Sequence, residues 1–102
     1  MLSLPIPAPA VETIAKEDLL HLRFAGEDVL PTTAERQRRR WEVERATTLG
    51  NAYHGKVDIY FQVDSGATKR VQTTVWANDA DYLTLKSGAA LPVRCVLGID
   101  FY

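Results

Sequence analysis

Between Val57 and Ala77 the chain changes character with every residue, and this period of two constrains the fold more than any other feature. In KVDIYFQVD, Val57, Ile59, Phe61 and Val63 alternate with Asp58, Tyr60 and Gln62, as in a strand with one face in a core and the other in water. The turn DSGATK follows. In RVQTTVWA, Val71, Thr73, Val75 and Ala77 form one row, and Gln72, Thr74 and Trp76 the other. The two runs predict a β-hairpin. NDAD then turns the chain, YLTLK reads as a third strand, and SGA as a tight turn. In ALPVRCVLGIDF, Pro92 removes a ladder donor, so a short edge piece, a bend and a final strand around Leu97 to Phe101 are expected.

Ahead of the strands the pattern is helical. AKEDLLHLRF, residues 15–24, carries acids early and Arg23 late, with Leu19, Leu20, Leu22 and Phe24 apolar; this suits a short helix and its dipole. GEDVLP is an extended connector, since Leu30 precedes a proline. Thr32 followed by Glu35 forms a capping-box pattern ahead of ERQRRRWEVER, which predicts a helix over 34–49, stopped by Gly50 and Asn51. Glu35 with Arg39, Arg38 with Glu42, and Arg40 with Glu44 stand four residues apart. Ala34, Trp41, Arg45 and Leu49 share a broad face with Trp41 as anchor, while Val43 points elsewhere. A strand, with Trp41, Val43 and Arg45 alternating against Glu42 and Glu44, is the alternative; capping and propensity favour the helix.

These segments describe an α+β chain: two short N-terminal helices, then a four- or five-stranded antiparallel meander that can curl into a small SH3-like or Sm-like partly open barrel. Residues 1–10, MLSLPIPAPA, read as an extended proline-containing arm, and 11–102 as a single α+β domain. The opening has no basic n-region, and Pro5, Pro7 and Pro9 interrupt any signal-peptide helix. No apolar run approaches the ~20 residues of a spanning helix. With a single cysteine, Cys95, no intramolecular disulfide forms, and a reducing, cytoplasmic setting with no membrane is expected.

The segments LGNAYHGKVDIYF, residues 49–61, and VQTTVWANDADYLTLKSGAALPV, residues 71–93, resemble a family of small uncharacterised bacterial proteins of about this length. The resemblance implies a bacterial, single-domain, cytoplasmic protein and supplies no activity or site residue.

No residue grouping calls for a cofactor or a catalytic role. His21, His54 and Cys95 lack metal-ligand spacing. Asn78, Asp79 and Asp81 start like a calcium loop, but Leu83 takes the glycine position and the terminal glutamate is missing. Ser65 and Ser87 precede glycines without the upstream glycine of a nucleophile elbow. Arg94 beside Cys95 favours a thiolate, yet the apolar run around it opposes one. The formal net charge is -1, unlike a dedicated nucleic-acid binder. A local patch of Arg36, Arg38, Arg39, Arg40, Lys69 and Arg70 beside the outward aromatics Tyr60 and Trp76 is the nucleic-acid alternative. The glutamates threaded through the arginines point instead to a salt-bridged helix. A non-enzymatic protein-interaction domain is therefore the leading expectation. It would form a homo-oligomer, by default a dimer, through Tyr60 and Trp76, an edge strand, or the arm with Leu2, Leu4 and Ile6.

Overall fold

A computed structural model describes residues 11–102, apart from the side chain of Ser87. The arm 1–10, with Leu2, Leu4 and Ile6, lies outside the described residues. The elements are β1 (Glu12–Ile14), α1 (Thr33–Tyr53), β2 (Val57–Gln62), β3 (Thr68–Thr73), β4 (Val75–Asn78), β5 (Tyr82–Leu85), β6 (Ala90–Pro92) and β7 (Val96–Phe101). Short 3-10 turns cover Lys16–His21, Lys86–Gly88 and Val93–Cys95.

The strands form two sheets. One has the order β1-β3-β2-β7, the other β4-β5-β6. The hairpin β2–β3 pairs Val57 with Thr73 and Ile59 with Val71, keeping the alternating apolar row on one face. β7 adds to the other side of β2, and β1 runs parallel to β3. Two short passages link the sheets: Thr74, between β3 and β4, and the turn Val93–Cys95, between β6 and β7. At Thr74 the alternation fails because Thr73, Thr74 and Val75 are all buried. Three consecutive inward residues cannot belong to one flat strand, so the chain turns a corner and enters the second sheet. The core between the layers holds Ile59, Phe61, Val71, Val75, Leu83, Leu85, Leu91 and Val96, with Val43 and Ala46 from α1.

This arrangement corrects the expected architecture. Among the described residues one long helix replaces the pair of short N-terminal helices, and seven strands in two sheets, not closed into a barrel, replace the single meander. β1 pairs with β3, and Phe24 bridges Val63 at the end of β2. The intervening segment is thereby tied to one sheet at both ends, and it forms only the six-residue 3-10 turn that buries Leu19. The single strand expected over 70–77 is in fact the end of β3 and the start of β4, in different sheets.

α1 begins as the capping box predicts. Thr32 Oγ1 accepts the Glu35 amide at 3.1 Å and donates to Glu35 Oε1 at 2.8 Å, a cap worth about 1 kcal/mol. The helix does not stop at Gly50: it runs to Tyr53 and ends at His54, whose left-handed φ of 55° turns its amide back to Gly50 O. The buried stripe is Arg39, Val43, Ala46 and Gly50, not the face carrying Trp41. Val43 is fully buried, whereas Trp41 is 60% exposed.

Gly50 lies on this stripe because α1 crosses β4 there. A Cβ at this position would stand 2.0 Å from Val75 O, a clash with backbone that no rotamer relieves. Gly50→Ala is expected to lower unfolding free energy by about 2 kcal/mol in urea titration, although alanine gains roughly 1 kcal/mol of helix propensity. An unchanged or raised midpoint would show that α1 does not press on β4.

Candidate interaction surface

The surface is built around a charge in the core. Arg39 is 5% exposed. Its Nη1 and Nη2 donate to Asp28 Oδ1 and Oδ2 at 2.9 and 2.7 Å, and Nη1 also donates to Val96 O at 3.1 Å. A two-pronged pair offsets part of the cost of desolvating a guanidinium. Arg39 Nε has no partner among the described residues. The Arg39 hydrogen bonds hold the Asp28 carboxyl below the usual carboxylate range. Partial burial opposes the shift, while the Leu30 amide and the Arg39 and Arg36 charges reinforce it.

Three residues along α1, Glu42 Oε1 accepts the Ile99 amide at 3.1 Å. Among the described residues β7 pairs with a strand, β2, on one side only, and an open edge of that kind invites another strand. Here two helix side chains occupy it: Arg39 gives a donor to Val96 O, and Glu42 gives an acceptor to Ile99 N. Between α1 and this capped edge runs a cleft of about 100 Å³, lined chiefly by Leu30, Glu35, Arg38, Glu42, Leu97 and Ile99. That is below the ~300 Å³ at which drug-sized pockets begin.

Beyond the cleft, Arg38, Trp41 and Arg45 follow one another on α1 at helical spacings of three and four. The Arg45 guanidinium carbon stands 5.3 Å from the Trp41 ring centroid and 4.8 Å from that of Phe101 on β7. Arg45 is thus held between two rings, and Trp41 is held in an exposed position by a contact that is itself exposed. Arg38 is 73% exposed and meets Glu42 at 3.5 Å. Cleft and stack both draw their residues from α1 and β7.

The remaining cations of the predicted patch are engaged within the fold. Arg36 Nε donates to Leu30 O at 2.8 Å and lies 3.5 Å from Asp28. Arg40 reaches Asn78 Oδ1 at 2.9 Å and the carbonyls of Asp79 and Ala80. Of the expected four-residue ion pairs, Arg38 with Glu42 forms, whereas Arg39 and Arg40 bind partners outside α1. Lys69 bonds Glu12 at 2.6 Å, and Arg70 bonds Thr13 Oγ1 at 2.7 Å, fastening β1 to β3. Tyr60 stands opposite Arg70 in the four-stranded sheet, while Trp76 sits at a bulge of β4 in the other sheet. The two aromatics do not share a row. The sequence did not mark Asp28 or Phe101, nor single out Arg45 and Glu42 as site residues; the Trp41–Arg45 and Arg38–Glu42 spacings carried the local signals.

The polar groups weighed for chemistry have local roles. Asp79 Oδ1 accepts the Asp81 and Tyr82 amides, which pull its carboxyl below the usual range. Burial pushes the Cys95 thiol up to about 12, and the thiol donates to Pro92 O. At neutral pH it is protonated and a poor nucleophile. Among the described residues no three His, Cys, Asp or Glu side chains are grouped to hold a metal ion, and no helix is long and apolar enough to cross a membrane. A second hollow, of about 350 Å³, brings Asp28, Asp81, Tyr82 and Arg94 together, but Asp28 is bound to Arg39 and Arg94 Nε donates to Ala25 O. No family model, curated protein or solved structure matches the chain.

The Asp28–Arg39 pair predicts an acid dependence. Because the folded value of Asp28 is depressed, its stabilisation is fully present above about pH 4 and is lost as pH falls through that lower value. Asp28→Ala leaves Arg39 buried without its counter-ion. It is expected to cost about 3 kcal/mol at neutral pH and to flatten the acid limb of a urea-midpoint profile. A loss of less than about 0.5 kcal/mol, the scale of an exposed pair, would contradict the buried pairing.

Proposed function

We propose that this protein is a non-enzymatic interaction domain that associates with itself through the α1–β7 face. The observation that carries the reading is the stack of Trp41, Arg45 and Phe101. Tryptophan and arginine are the commonest energetic anchors of protein interfaces. A rim already ordered by ring and guanidinium contacts loses less side-chain entropy on association. The face also includes the edge strand β7, whose backbone is protected by Arg39 and Glu42 and is therefore presented as a shaped surface. A twofold dimer is the simplest assembly for such a face. A cytoplasmic setting is supported by the lone, buried Cys95.

Light scattering and sedimentation across the micromolar range test the proposal. A concentration-dependent dimer is expected, weakened about tenfold or more by Trp41→Ala. Because Trp41 lies outside the core, the thermal midpoint should change little. A wild-type chain that stays monomeric at high micromolar concentration, or a dimer indifferent to Trp41→Ala and Arg45→Ala, would overturn it.

A further inference from the structure

We draw no further inference here: the strongest candidate, the outward side of the β4-β5-β6 sheet, where Ala77, Tyr82 and Ala90 are exposed beside Thr84, is a sheet face for which nothing in the structure shows what covers it.

Discussion

The guanidinium of Arg39 is the point on which three parts of the structure depend. It joins α1 to the connector through Asp28 and to the first residue of β7 through Val96 O. Removing such a charge from water costs several kcal/mol, and replacing a buried pair with apolar residues is often neutral or better for stability. The contribution of Arg39 is therefore best understood as geometric. It sets the height and rotation of α1 against the sheet edge. With Arg39 inward, Val43, Ala46 and Gly50 follow it into the interface at helical spacing.

That rotation has two consequences. Gly50 is brought against Val75 O, where the absence of a side chain lets helix and strand approach closely. Trp41 is turned outward, where it meets Arg45, which also lies over the Phe101 ring. The same helix thus supplies the cover for an exposed strand edge and the aromatic rim beside it. Glu42, one turn from Arg39, completes the cover by accepting from Ile99 N. A second strand would supply both donors and acceptors from its backbone; here one arginine and one glutamate perform that role from a helix.

The charge pattern of α1 was misleading for a physical reason. A run of arginines threaded with glutamates ordinarily marks a solvated face, and Arg38 with Glu42 behaves in that way. Arg36 and Arg40 extend sideways to carbonyls of neighbouring loops, and Arg39 enters the core. Identical side chains at adjacent positions have different environments because each points about 100° further around the helix. Composition cannot separate them.

What the sequence alone determined was local. Alternation over a few residues specified the β2–β3 hairpin and β5, Pro92 kept β6 short and at an edge, and Thr32 with Glu35 started α1. Each of these depends on neighbours within one strand or one helical turn. The tertiary structure alone decided which face of α1 is buried, where β3 ends and β4 begins, and that Trp41 is a surface residue. Those outcomes depend on partners distant in sequence: Asp28 lies 11 residues from Arg39, and Ile99 lies 57 from Glu42. A buried arginine and a glycine on the inward stripe also interrupt the apolar period from which that face would otherwise be read. The Trp41–Arg45–Phe101 stack came into being only when helix and final strand were packed together.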